Sequence, residues 1–141
     1  MAEISKPRPG ENMRLLDALQ YPLPIGGIVS ILHRASGVMM AVLLPLIIWL
    51  FDTSVTSEIS FDRFASAFTA GIGFVPGILV KLVVLGLIWA YLHHAMAGVR
   101  HLWMDATHQV TKEFGRSSAI ATAVASIGLT VVLGAKLFGL Y

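Results

Sequence analysis

Three residues within a long apolar stretch, His94, Gly98 and His101, have the spacing of a binding site on a helix. They occupy positions i, i+4 and i+7, which lie along one face of a helix. A glycine one turn from a histidine leaves a flat space beside the imidazole, and an imidazole nitrogen can bind an iron. The spacing therefore predicts that His94 is a ligand of a haem iron inside a membrane.

A second histidine, directly before this one, leaves the assignment open. His93 and His94 are adjacent, so their side chains point about 100° apart on a helix and only one of them faces a given pocket. Gly98, one turn after His94, favours His94 as the ligand, although an exchange of the two roles remains an alternative. The simplest alternative is a core histidine that donates a hydrogen bond to a carbonyl of a neighbouring helix.

A haem bound by His94 needs further contacts from other residues, including a second ligand of the iron. His101 lies about 10 Å further along the helix than His94, a distance that suits a haem propionate or a quinone head group better than the same iron. No other apolar run carries a histidine at a comparable depth. A bis-histidine iron would therefore take its second axial ligand from a different chain.

The first apolar run begins with four polar side chains within seven residues: Ser30, His33, Arg34 and Ser36. Ser30 and Arg34 are i and i+4, so they point the same way. An arginine at the centre of a spanning helix costs about 2.5–3.5 kcal/mol, and less near an interface. Arg34 could simply reach the lipid phosphates, but the cluster favours a polar pocket. A hydroxyl and a guanidinium there could bond a quinone carbonyl or a haem propionate.

The composition predicts an all-α membrane protein. Of its 141 residues, 56% are hydrophobic and 13% are charged, with a mean hydropathy of +0.77. Three apolar runs are each long enough for a membrane-spanning helix, which needs about 20 residues. We predict an N-terminal segment over residues 1–24 and a transmembrane domain over residues 25–141, with spans at about 25–51, 76–104 and 117–140.

Several classes of site and partner are excluded by the same totals. The chain has no cysteine, so it supplies no disulfide, thiolate ligand or iron–sulfur cluster. The net charge of +2 is too small to indicate nucleic-acid binding. A polar, proline-bearing segment precedes the first apolar run, which is not the pattern of a signal peptide.

Local features predict how the spans are built and oriented. Pro45 should kink the first span, and residues 61–68 should add a short interfacial helix. Lysine and arginine are concentrated before the first span and around the second loop, which places the N-terminus in the cytoplasm. The two polar groups then lie in the same half of the membrane. Arg100 is expected at the membrane surface, as a solvated or partner-contacting charge.

Two sequence motifs carry a resemblance to a known family. Residues 30–37, SILHRASG, match a signature S-x-x-H-R-x-S-G, and residues 94–105 match H-x3-G-x-R-H-x3-D. Both resemble the signatures of the cytochrome b membrane-anchor subunit of succinate dehydrogenase, Complex II, and they stand on the first and second of three spans, as in that family. The resemblance covers nearly the whole chain, from Arg8 to Tyr141.

The resemblance implies roles for individual residues. His94 would be the axial ligand of haem b, opposite a ligand from a second, small anchor subunit. His33 and Arg34 would lie near the haem propionates, and His101 near the haem edge. Ser30 and Arg34 would line the ubiquinone site. No residue of this chain would be catalytic.

The resemblance also implies partners and a location. A flavoprotein subunit with FAD and an iron–sulfur subunit with its clusters would dock on the cytoplasmic side. Electrons from succinate would pass to ubiquinone in the tricarboxylic acid cycle and aerobic respiration. The membrane would be the inner membrane of a bacterium rather than of a mitochondrion. Arg8-Pro9 is followed by Gly10-Glu11-Asn12-Met13 rather than the Ser-Pro-His-Leu of many members, so the docking contacts of this segment can differ.

Three alternatives accompany this interpretation. The chain could anchor a quinol:fumarate reductase, since its residues do not fix the direction of electron flow. It could be a small transport or proton-relay protein that uses Ser30, His33, Arg34 and His94 as a polar pathway. It could also be a scaffold whose polar residues only hold helices together.

Overall fold

The computed structural model describes residues 22–141, which form five helices joined by short connections. The helices are α1 (Ile25–Val42), α2 (Leu44–Val55), α3 (Glu58–Ala67), α4 (Gly77–Thr107) and α5 (Lys112–Leu137). Three of them, α1, α4 and α5, are long and apolar enough to cross a membrane. The predicted all-α membrane fold with three transmembrane helices is confirmed. Residues 1–21 of the predicted N-terminal segment lie outside the described residues.

The first span consists of α1 and α2, which are separated at Leu43. Pro45 stands in the first turn of α2 and has no N–H, so it cannot continue the helical bonding of α1. The N–H of Leu43 still donates to the carbonyl of Met39 at 3.0 Å, and the N–H of Ile47 donates to that of Leu43 at 3.1 Å. The interior proline therefore interrupts the helix locally, as the sequence predicts, and α2 extends to Val55.

A short helix and a tight turn connect the first two spans. Ser57 caps α3 reciprocally: its hydroxyl accepts from the N–H of Ser60, while the Ser60 hydroxyl accepts from the N–H of Ser57. This cap starts the helix at Glu58, three residues before the predicted position. Gly71 then adopts φ +101°, and a side chain there would collide with the Val75 carbonyl, so the turn into α4 requires glycine.

The helix α4 is central to the bundle and packs against both α1 and α5. Small side chains make its closest contacts: Ala90 and Ala97 of α4 are fully buried, as are Ala119 of α5 and Val29 of α1. The larger Val80 and Leu87 of α4 are buried as well. Small residues let helix backbones approach closely in a membrane. Large apolar side chains instead point outward, among them Val38, Val99 and Val131, where lipid or a neighbouring subunit can cover them.

A line of hydroxyl residues marks the inward face of α5. Ser118, Thr122, Ser126 and Thr130 recur every four residues, so they share one side of the helix.

Arg100 of α4 donates from Nε to the Ser118 hydroxyl at 2.9 Å and from Nη2 to the Gly115 carbonyl at 3.1 Å. Arg100, expected at the membrane surface as a solvated or partner-contacting charge, is half-buried, and its guanidinium ties α4 to α5, a contact that the sequence did not predict.

Candidate functional site

Three of the predicted site residues come together between α1 and α4. His33 of the first span lies directly beside His94, so the expectation that no other span carries a histidine at that depth is wrong. The rings of His33 and His94 stack with centroids 4.2 Å apart and planes inclined by 20°. The ring of His101 lies 5.3 Å from that of His33, tilted by 55°. Within residues 22–141, no group of three or more His, Cys, Asp or Glu side chains is arranged to hold a bare metal ion. The cluster is thus a set of neighbouring rings, not a preformed multi-ligand metal centre.

One nitrogen of His94 is anchored to α1. Its Nδ1 lies 3.0 Å from the carbonyl oxygen of His33 and 3.3 Å from the hydroxyl of Ser36. A carbonyl only accepts, so Nδ1 carries the hydrogen and donates it. Ser36 is fully buried, and its hydroxyl donates to the same carbonyl at 2.8 Å. The Nε2 of His94 has no hydrogen-bond partner among the described residues, which leaves its lone pair available.

The neighbouring His93 has a different environment. It is 1% exposed, and its Nε2 lies 3.4 Å from the carbonyl of Val29 on α1, while its Nδ1 lies 3.2 Å from the hydroxyl of Ser126 on α5. Its ring also stacks on Trp89 at 5.3 Å. Because the Val29 carbonyl only accepts, Nε2 is the donor, and Nδ1 of the neutral ring faces the Ser126 hydroxyl, whose one hydrogen is shared between Nδ1 and the Ala123 carbonyl at 3.1 Å. Both ring nitrogens of His93 are therefore engaged within the protein.

Two glycines shape the cluster, and their places differ from the sequence prediction. A Cβ on Gly98 would lie 3.6 Å from Nε2 of His33, with no contact to the His94 ring. The space predicted beside His94 is thus occupied by His33 instead. A Cβ on Gly37 would lie only 3.0 Å from Cε1 of His94. Gly37 is therefore the glycine that lets α1 approach the His94 ring.

This close approach gives a testable consequence for Gly37→Ala. Alanine favours a helix over glycine by about 1 kcal/mol, but the added methyl group must displace the His94 ring, and overpacking costs about 1–3 kcal/mol. Gly86→Ala is a matched control on α4, because a Cβ there meets nothing within 4 Å. In thermal unfolding of the detergent-solubilised protein, we expect Gly86→Ala to be neutral or stabilising and Gly37→Ala to be clearly less stable. Equal midpoints for the two variants would show that the contact at Gly37 is unimportant.

The other two predicted residues lie beside the cluster on α1. Ser30 is half-buried and Arg34 is exposed. Within the described part of the chain, neither side chain makes a hydrogen bond or an ion pair with another residue. No residue between 22 and 141 uses the donors of this hydroxyl and this guanidinium.

Two hydroxyl groups that hold the histidines were not predicted as site residues. Ser36 supports His94 from α1, and Ser126 supports His93 from α5. The four-residue recurrence of hydroxyls on α5 is a signal in the sequence that its inward face is polar. Ser36 belongs to the polar cluster and the motif that the sequence shows at residues 30–37, but its partner His94 is 58 residues away in the chain, so the contact itself was not predictable.

Comparison with known proteins identifies the family to which this architecture belongs. The sequence pattern of the succinate dehydrogenase/fumarate reductase transmembrane subunit matches residues 9–133. The chain belongs to this family. It is 31% identical over 133 residues to the succinate dehydrogenase cytochrome b556 subunit of Paracoccus denitrificans, covering 94% of each chain. It is 32% identical over 119 residues to the cytochrome b556 subunit of Coxiella burnetii, covering 84% of this chain and 90% of that one.

Family membership confirms the resemblance drawn from the two sequence motifs. The chain is a succinate dehydrogenase cytochrome b membrane anchor by family, and its three apolar helices make it a multi-pass membrane protein. As a member of this family, it is part of an oxidoreductase complex with other subunits.

Proposed function

We infer that this chain anchors a succinate:ubiquinone oxidoreductase, supplies one axial ligand of haem b and forms part of the ubiquinone site. The relatives named cytochrome b556 imply a haem, and the environment of His94 is the observation that carries the proposal. Its Nδ1 is bonded to a backbone carbonyl, while Nε2 has no partner among the described residues.

The residues present fit a haem on chemical grounds. A metal-binding histidine usually donates its other ring N–H to a carbonyl or carboxylate, which fixes the tautomer and the ring orientation. His94 has this arrangement, and Gly37 lets the supporting helix approach the ring. His93 does not fit, because it is buried and both of its nitrogens are engaged. The iron ligand from this chain is therefore His94.

The neighbouring side chains suit the periphery of the same group. His33 and His101 surround the position beside His94, and Arg34 adds a positive charge on the same helix as His33. Imidazole and guanidinium groups can bond the carboxylates of the haem propionates. Bound here, haem b would supply a one-electron redox centre within the membrane.

A single imidazole from this chain implies a ligand from a second chain. The other axial position is assigned to a small second anchor subunit, whose helices would cover part of the exposed apolar surface of the bundle. The iron–sulfur clusters belong to the iron–sulfur subunit, since this chain has no cysteine to ligate them. FAD is assigned to the flavoprotein subunit. Oxidation of succinate takes place in those partners.

The ubiquinone site is assigned to Ser30 and Arg34. Both side chains offer hydrogen-bond donors that no described residue uses, and they are one turn apart on α1. A quinone carbonyl accepts such bonds, and negative charge develops on its oxygen as electrons arrive. A guanidinium placed there stabilises that charge during reduction. The role of Arg34 is thus to hold and polarise the quinone head group.

The location and direction follow from the relatives and the charge distribution. Both relatives come from bacteria, which favours a bacterial inner membrane with the N-terminus in the cytoplasm. The family description also includes fumarate reductases, so a quinol:fumarate reductase is the second candidate. The names of both relatives favour succinate oxidation.

Purification through a tag on this chain tests the assembly. We expect a flavoprotein, an iron–sulfur protein and a small membrane subunit to co-purify in equal amounts, together with succinate-dependent ubiquinone reduction. Faster fumarate reduction by a quinol would select the second candidate. Isolation of this chain without a flavoprotein partner would contradict both.

A further inference from the structure

We propose that His93 is a positioning residue that fixes the rotation of α4 and thereby the direction in which His94 presents Nε2. The inference rests on the haem ligation proposed above and assigns a role to a buried imidazole that the ligation itself does not use. His93 would not touch the haem iron; it would act through the helix that carries the ligand.

The contacts of His93 join all three spans at one level. Its ring belongs to α4, its Nε2 donates to the Val29 carbonyl of α1, and its Nδ1 lies 3.2 Å from the Ser126 hydroxyl of α5, which also bonds the Ala123 carbonyl of its own helix. The ring is 1% exposed and lies against Trp89 of its own helix. A buried polar group held from two sides is costly to displace, because rotation would leave its nitrogens without partners.

The two adjacent histidines grip neighbouring points on α1. His93 bonds the carbonyl of Val29, and His94 bonds the carbonyl of His33, which is four residues further along. These two carbonyls are one turn apart on the same side of α1. Since the two imidazoles diverge by about 100°, a rotation of α4 cannot preserve both bonds. The pair therefore defines a single rotational setting of α4 against α1.

Apolar packing alone would define this setting poorly. Leu87 is a large buried side chain of α4, but the buried residues within about one turn of His93 are Ala90 and Ala97, which allow close contact but offer little relief for interlocking. In a membrane, no hydrophobic force selects which apolar face of a helix turns inward. The polar contacts of His93 select the face of α4 that turns inward. They thereby set the direction in which His94 presents Nε2.

The test uses the purified complex with four variants of this chain. His93→Leu removes both bonds at similar volume, His93→Gln keeps a donor and an acceptor, and Ser126→Ala removes one partner. Thr122→Val is the matched control, because Thr122 is a buried hydroxyl one turn from Ser126 that bonds only the Ser118 carbonyl of its own helix. Three quantities are measured: the electron paramagnetic resonance (EPR) signal of the oxidised haem, the rate of haem loss on warming, and the unfolding midpoint.

We expect all four variants to keep a b-type spectrum, since His94 is intact. In His93→Leu the EPR signal, which reports the orientation of the axial imidazoles, should shift or broaden, and haem should be lost about fivefold faster or more. Ser126→Ala should show the same change to a smaller extent, while His93→Gln and Thr122→Val should resemble the unmodified complex. The double variant His93→Leu/Ser126→Ala should be no worse than His93→Leu alone, because the two residues act through one contact.

An unchanged EPR signal and unchanged haem retention in His93→Leu would overturn the proposal, as would a His93→Gln complex as impaired as His93→Leu. If the complex with His93→Leu does not assemble, the EPR signal and haem retention of Ser126→Ala are compared with those of Thr122→Val. Equal values for these two variants would refute the positioning role of His93. A colourless unmodified complex would refute the proposed function instead. The unfolding midpoints of the single and double variants would then still decide whether the contact between His93 and Ser126 holds α4 in place.

Discussion

His94→Ala should remove the b-type α-band from the purified complex. The substitution deletes the imidazole whose Nδ1 is held by the His33 carbonyl and whose Nε2 has no hydrogen-bond partner within residues 22–141. Loss of the outer partners of a metal ligand already costs about 10–100-fold in affinity, so loss of the ligand itself should lower haem occupancy by more than about tenfold. The measurement is the haem content per flavin, determined from the reduced-minus-oxidised spectrum.

The control for this variant is the adjacent position. His93→Gln keeps hydrogen-bonding groups towards Val29 and Ser126, and it should retain the α-band at nearly full intensity. Loss of the band in His93→Gln together with its retention in His94→Ala would exchange the roles of the two histidines. Loss in neither variant would place the iron ligand from this chain elsewhere.

Arg34→Ala should impair quinone reduction while sparing succinate oxidation. A hydrogen bond from a charged donor contributes about 1.5–3 kcal/mol, and each 1.4 kcal/mol is tenfold, so succinate:ubiquinone activity should fall by about 10- to 150-fold. Reduction of an artificial dye, which takes electrons before they reach the quinone, should stay near the unmodified rate. The two rates are measured on the same preparation.

Two further variants sharpen this prediction. Arg34→Lys keeps the charge but loses the planar pair of donors, and it should restore part of the quinone activity. Ser30→Ala removes a neutral donor and should cost less than Arg34→Ala. An equal loss of dye and quinone activities in Arg34→Ala would indicate damage to assembly and would count against a quinone role.

The sequence predicted which residues of the histidine cluster lie near one another better than it predicted their individual contacts. The three spans and the positive charges near their ends predicted that the polar groups of the first and second spans share one half of the membrane. The structure indeed stacks His33 on His94. What the sequence could not provide is the rotation of α4, because this helix is apolar on nearly every side and no periodicity selects a face.

The incorrect details of the predicted site have one cause, which is that the sequence does not define the rotation of α4. Gly98 is one turn from His94 in sequence, but it faces His33, while the glycine against His94 is Gly37 of another helix. Arg100 was expected at the membrane surface as a solvated or partner-contacting charge, and the turn of its side chain towards Ser118 and Gly115 was not predicted. Contacts between helices far apart in the chain depend on rotation and register, which only the assembled bundle defines.

Helix ends were predictable only where a cap is visible. The helix α5 begins at Lys112, before the apolar run that predicted a span from residue 117, because the Thr111 hydroxyl accepts from the N–H of Phe114 and starts the helix within a polar segment. The threonine followed by Glu113 in the first turn is a recognisable signal of such a start. Hydropathy finds the part of a helix that lies in lipid and misses its polar first turn.

His94 of this chain is proposed to help hold a haem b within the membrane. The most direct measurement is the reduced-minus-oxidised difference spectrum of the complex purified through this chain, before and after addition of succinate. We predict b-type Soret and α-bands in the unmodified complex, reduced at least in part by succinate, and their loss in His94→Ala. A colourless complex, or a His94→Ala complex with its haem spectrum intact, would contradict the claim.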